Sequence, residues 1–279
     1  MKIFRDTIAA GRTLMRRYTA STRIHTEKGM KRKPKTNPTP EAVQKINLKN
    51  AIWKLCVLLN SYFVGGDYHL VLTYANEPGK EEARKDVDKW IRNMRAYYKK
   101  QGKEFHWVAV TEYENKRIHH HIVCSRADVE VIEKYWSKGW VNVKLLDDSG
   151  NYIKLAEYLI KETDKTFRED DSPNKTRYRR SRNMKLPEAQ REEVSDKVLR
   201  EGPEAVKGYY VDQDTVHTYD HAILGVECMQ YIMVSLDPVP RLKRWYRGQR
   251  VKVEGEYKVL ADKQLTIDGL LCAGEMGTE

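Results

Sequence analysis

The chain reads as an α+β protein: an antiparallel sheet flanked by helices. Three observations lead there. Segments of helical apolar period alternate with short β-rich runs. Two of those runs are separated only by a tight turn, which makes them an antiparallel hairpin. Of the 279 residues, 40% are hydrophobic and 33% charged, a globular composition with a polar surface. No apolar run is long enough to span a membrane.

The elements follow in order. Thr39-Pro40-Glu41 is a helix start with Pro40 at the first position, and Val43, Ile46, Ile52, Leu55, Leu58 and Leu59 form its apolar stripe. Gly65-Gly66-Asp67 is a turn, and His69-Leu-Val-Leu-Thr-Tyr74 a short strand. Lys80 to Lys100 has helical period, with Val87, Trp90, Ile91, Met94 and Tyr98 on one side. His106 to Tyr113 and Ile118 to Ser125 form the hairpin around Asn115-Lys116. Asp128 starts a helix to about Trp136, Trp140 to Leu145 alternates as a half-buried strand, and Tyr152 to Glu162 is a helix. Pro187 opens a further expected helix to about Arg200, and strand-like pieces occupy His217 to Ile223 and Met229 to Leu236.

Charge divides the chain. The net charge is +11, yet residues 1–38 alone hold eleven Lys or Arg against Asp6 and Glu27. They read as a basic arm running into the Pro- and Lys-rich linker KRKPKTNPTP, suited to a polyanion. Residues 39–166 then form the expected catalytic domain, and 167–279 a basic C-terminal region. Within that region, Lys175 to Lys185 and Arg241 to Arg247 are basic patches. Arg177, Arg179, Arg180, Arg182, Arg241, Lys243 and Arg244 are candidate backbone contacts to nucleic acid. Trp245 and Tyr246 could stack on bases or simply pack. Cys56, Cys124, Cys228 and Cys272 are too scattered for a zinc ribbon or a disulfide scaffold, which fits a reducing cytosol.

Two clusters carry chemistry. In a strand, residues two apart share a face, so His119 and His121 project together and His120 points away. Taken alone, the pair suits stacked edge-strand histidines as well as a metal site. Glu112, on the partner strand roughly opposite His119, adds a carboxylate to the same place. Two imidazoles and one carboxylate leave coordination positions open for water or substrate oxygen. In the last helix, Tyr158 and Lys161 share a face at i and i+3. A phenol is a weak nucleophile at neutral pH and needs help to react. Lys161 is positioned to favour the phenolate.

HLVLTY (69–74), then TEY followed four residues later by IHHHIV (111–123), then EYLIKE (157–162) resemble the three motifs of HUH endonucleases. More narrowly, they resemble the rolling-circle replication initiators of plasmids, small phages and integrated elements. The resemblance covers roughly residues 45–165. It implies a five-stranded antiparallel sheet related to the ferredoxin-like arrangement. It also implies Mn²⁺ or Mg²⁺ on Glu112, His119 and His121, and Tyr158 as a single nucleophile with Lys161 as its partner. Thr73, Tyr74, Arg117 and Lys154 are expected to border the DNA. The implied partner is single-stranded DNA at an origin, in the cytoplasm of a bacterial host, with no membrane. No phosphate-binding Gly-x4-Gly-Lys-Ser/Thr loop occurs, so a separate helicase and a polymerase are expected. Glu162, one turn after Tyr158, is a candidate general base for a terminating cleavage. A relaxase or transposase with the same chemistry, a hydrolytic metal nuclease, and a non-catalytic nucleic-acid-binding module are the other readings.

Overall fold

A computed structural model of the chain describes residues 2–21, 41–113, 117–163, 172–173, 176–220, 227–237, 250–253 and 256–259. Residues 1–236 form one compact unit and 237–279 a second. In the second unit, strands Arg250–Val253 and Glu256–Val259 pair as a hairpin. The linker KRKPKTNPTP, Arg241, Lys243, Arg244, Trp245, Tyr246 and Cys272 lie outside the described residues.

The expected sheet is present. β3 (Tyr68–Thr73), β4 (Trp107–Glu112), β5 (His119–Cys124), β6 (Val141–Leu145) and β7 (Arg179–Arg180) run in the order β6-β3-β5-β4-β7. Every pair is antiparallel. The fifth strand comes from the Lys175–Lys185 segment, which the sequence marks only as basic. Alternation gives this sheet two different faces. Leu70, Leu72, Ala109 and Ile122 pack under helices α2 (Lys80–Lys100) and α3 (Val129–Tyr135). Val108, Val110 and Val123 pack against α1 (Glu41–Tyr62) and α4 (Ile153–Thr163). The bounds expected for α2 coincide with those observed. The stripe of α1 is buried only from its middle onward: Val43 and Ile46 are exposed, while Leu55, Leu58 and Leu59 are fully enclosed.

A second five-stranded sheet is not foreseen by the sequence. It has the order β8-β1-β2-β10-β9, with β1 (Lys2–Ala10), β2 (Thr13–Ser21), β8 (Gln190–Val194), β9 (Tyr209–Asp220) and β10 (Glu227–Ser235). Its Ala10, Met15 and Ile232 join the core around α1 and α4, so those two helices are sandwiched between the sheets.

The expected basic arm is therefore corrected. Residues 2–21 are two central strands of a sheet, and much of their charge is consumed there. Lys2 pairs with Glu193 at 2.7 Å, Arg5 with Glu192 at 2.6 Å, and Asp6 with Arg191 at 2.6 Å. Arg17 bonds Asn50 Oδ1 at 2.8 Å and lies over the Trp53 ring. The acidic Gln190–Val194 run, expected inside a helix, is the strand that complements basic β1. Only the short α5 (Lys197–Glu201) follows it. Strands from both sides of the expected divisions at 38 and 166 build one sheet. Cys56, Cys124 and Cys228 are buried thiols. Among the described residues no helix is long and apolar enough to cross a membrane.

Candidate metal and nucleophile site

Register builds the site. β4 and β5 pair Glu112 with His119 and Val110 with His121. β3 and β5 pair Val71 with His121 and Thr73 with His119. Glu112, His119 and His121 thus share the face covered by α1 and α4. Their ligand atoms all lie within 4.8 Å of one another. The carboxylate expected across the turn is the one found.

The donor set suits a small divalent cation. His119 Nδ1 donates to the Arg117 carbonyl at 2.8 Å, a bond that requires the hydrogen on Nδ1. In the neutral ring Nε2 then presents a lone pair, 3.1 Å from Glu112 Oε2. A lone pair and a carboxylate oxygen repel at that distance, and a cation held by both removes the repulsion. Neighbouring ligands of an octahedral ion at about 2.1 Å sit roughly 3 Å apart, as these two atoms do. Mixed nitrogen and oxygen donors fit Mn²⁺ somewhat better than Mg²⁺.

His121 links the site to two further groups. Its Nε2 is 3.4 Å from the Tyr158 hydroxyl, and its Nδ1 is 3.2 Å from His69 Nε2. Tyr158, on α4, is 43% exposed. Neighbours Leu159 and Ile160 are buried and anchor the helix, so the phenol stands at the rim beside the histidines. The His121 and Tyr158 rings meet edge-on with centroids 5.3 Å apart.

His69 escaped the sequence reading. It lies on β3, on the same face as His121, and is buried. Burial first, then Lys144, pushes its pKa down to about 4, so the ring is neutral. Its only sequence signal is parity with Thr73 inside HLVLTY; the β3–β5 register that brings it to His121 is not visible in the chain.

His120 does point away. It is fully buried on the opposite face, with Nε2 2.9 Å from the Tyr74 hydroxyl and Nδ1 2.8 Å from Thr111 Oγ1. Tyr74 donates to the Ala83 carbonyl at 3.3 Å. His120 Nε2–H then donates to Tyr74, and Thr111 donates to His120 Nδ1. Burial above all, and then the positions of His119, Arg179 and His121 around it, push the His120 pKa down to about 3. Tyr74, expected at the DNA, is thus a core residue, and burial pushes its pKa up.

The remaining expected residues divide. Thr73 is at the site's edge, its hydroxyl donating to the Trp140 carbonyl at 3.2 Å. Arg117 is exposed beside His119. Lys161 is exposed and leans on Glu157 at 3.8 Å rather than standing as a dedicated partner of the phenol. That contact is weak and solvated. Lys154 pairs with Asp214 of β9 at 3.1 Å, which ties α4 to the second sheet. Arg177, Arg179 and Arg180 are partly buried and Arg182 is exposed. Glu162 is in α4, but its side chain lies outside the described residues.

Residues 67–167 match the family model for the replication-associated protein ORF2, a rolling-circle replication initiator family of the HUH type. The match spans the first sheet without β7 and all of α4. No curated protein and no solved structure matches the chain.

Proposed function

We propose that this chain, whose residues 67–167 match the replication-associated protein ORF2 family, nicks and rejoins single-stranded DNA at a replication origin through Tyr158. One observation carries the reading: the Tyr158 hydroxyl stands 3.4 Å from a histidine of the Glu112–His119–His121 cluster. A divalent cation bound by those three residues supplies Lewis acidity toward a phosphate oxygen.

The chain's own groups do the rest. α4, packed between the two sheets, holds the phenol at the rim, where a single strand can reach it. The phenol oxygen loses its proton to solvent, attacks phosphorus in line and forms a phosphotyrosine with the 5′ phosphate of the downstream strand. The bond to the 3′ oxygen breaks, leaving a hydroxyl that can prime synthesis. One phosphodiester is exchanged for another, so the step reverses and strands rejoin. Lys161, weakly tethered to Glu157, is free to turn toward the charged phosphate. Glu162 is the proposed general base for water in a terminating cut.

The test is incubation of the protein with single-stranded origin oligonucleotides and Mn²⁺, followed by a denaturing gel. The wild type should give a covalent species of protein plus oligonucleotide. Tyr158→Phe should give none while still binding the strand. Cleavage with a free 5′ end and no adduct would overturn the reading in favour of a hydrolytic nuclease.

A further inference from the structure

A large groove lies on the other face of the first sheet, away from the metal cluster. Its volume is about 980 Å³, and its floor includes Phe105 and Trp107. β4 alternates, so Trp107, Ala109 and Thr111 face α2 while Val108, Val110 and Glu112 face α1 and α4. One wall is α2, with Arg92, Arg95 and Lys99. The other is the edge strand β7 and the turn after it, with Arg179, Arg180 and Arg182.

The charge in this groove is mostly uncompensated. Arg179 pairs with Asp88 and lies over the Trp107 ring. Arg92, Arg95, Lys99, Arg180 and Arg182 have no acidic partner among the described residues. Arg180, opposite Val108, turns to the other face of the sheet, which leaves Arg92, Arg95, Lys99 and Arg182. Four cations facing one concavity repel each other, and a fold keeps such an arrangement at a cost unless an anion fills it. Arg92, Arg95 and Lys99 fall at i, i+3 and i+7, one stripe of a helix spanning about 10 Å. Phosphates of one duplex strand recur every 3.4 Å or so along the axis, so the stripe covers about three.

We propose that this groove binds the phosphate backbone of duplex DNA adjoining the cleavage site, an inference that rests on DNA being the substrate. Two features select duplex over single strand. The aromatic floor, Phe105 and Trp107, is buried, so it offers no platform on which unpaired bases can stack. The cations line both walls, as a rigid polyanion requires. The contacts are to phosphate, so the groove positions without reading sequence. Trp107 begins β4 and Glu112 ends it, about 17 Å apart at 3.3 Å per residue. A duplex seated here would leave a few unpaired nucleotides to pass the β7 edge and reach Tyr158.

The variant Arg92→Ala/Arg95→Ala/Lys99→Ala tests it, because all three residues are exposed and none touches the metal cluster. Two probes are used, a blunt 20-base-pair duplex and a single-stranded 20-mer, each titrated at several salt concentrations. Duplex affinity should fall at least tenfold, and the log–log salt slope should shrink by roughly 2.7, about 0.9 per lost phosphate contact. Binding and adduct formation on the single strand should be unchanged. Unaltered duplex affinity and slope would overturn the proposal. An equal loss on both probes would overturn its duplex assignment. If the wild type forms no adduct, the nicking reading fails while the duplex titration still decides the groove.

Discussion

His69 Nε2 lies 3.2 Å from His121 Nδ1, within hydrogen-bond reach on the side of the ring away from Tyr158. His69 is neutral in its buried position, so it can accept a hydrogen bond. With the His121 hydrogen on Nδ1 and donated to His69, the lone pair is on Nε2, the atom that faces the Tyr158 hydroxyl. His119 is fixed in the same tautomer by the Arg117 carbonyl. Both histidines of the cluster therefore have an outer partner that orients the ring.

His69→Ala should accordingly weaken Mn²⁺ binding by about 10- to 100-fold, the usual range for losing an outer partner of a metal-binding histidine. His69→Gln, whose carbonyl oxygen can accept the same hydrogen, should recover part of it. Titration calorimetry reads both. Equal affinity in His69→Ala and wild type would mean that His69 does not orient His121.

His120→Ala should act on stability and spare the metal. The substitution removes a hydrogen-bond partner from each of the buried Tyr74 and Thr111 hydroxyls and leaves a void against Trp136. The cost is about 3 kcal/mol, a fall in Tm of roughly 6–12 °C for a unit of this size. Mn²⁺ affinity of the folded variant should match wild type, whereas His119→Ala and His121→Ala should lose it. Loss of Mn²⁺ binding in folded His120→Ala would place the wrong histidines in the site.

From Glu41 to Thr163 the order of elements and the Glu112–His119–His121 cluster are legible in the sequence, because both depend on local period and on one tight hairpin. Glu112 opposite His119 needs only a count across a short turn. His69 is illegible for the opposite reason: it meets His121 through pairing of strands 52 residues apart. The second sheet is hidden more deeply. Arg5 reads as arm charge until Glu192, 187 residues on, is seen beside it. Charge runs report net electrostatics, and nothing local says whether a distant strand will neutralise them. The same blindness conceals the groove, whose two walls come from α2 and β7, far apart in the chain.

Deleting residues 1–21 should therefore abolish folding rather than trim DNA affinity. The deletion removes β1 and β2 from the middle of the second sheet, leaving β8 separated from β10 and β9. It also uncovers the α1 face packed on Ala10 and Met15. The truncated protein should aggregate or elute in the void volume on size exclusion. A monomeric truncated protein with wild-type Tm would show that the hairpin is an accessory after all.

The placement of Tyr158 depends on Asn60, a buried residue of α1. Its Nδ2 donates to Thr13 Oγ1 at 3.0 Å, and its Oδ1 accepts from the Tyr152 N–H at 2.9 Å, at the start of α4. One side chain thus joins α1, the β1–β2 hairpin and the helix that carries Tyr158. The hairpin approaches so closely that a Cβ on Gly11, where φ is +55°, would come within 1.9 Å of the Asn60 carbonyl oxygen. Asn60→Ala leaves the Tyr152 N–H buried without its acceptor, costing about 1–3 kcal/mol. It also frees the first turn of α4 to shift. A displacement of about 1 Å at a reacting group can cost on the order of 100-fold in rate. Adduct formation by folded Asn60→Ala, measured well below its Tm, should slow at least tenfold while Mn²⁺ affinity stays near wild type. A stability loss with an unchanged adduct rate would reduce Asn60 to a packing residue. A loss of metal affinity alongside the rate would mean that the strands, and not only α4, had moved.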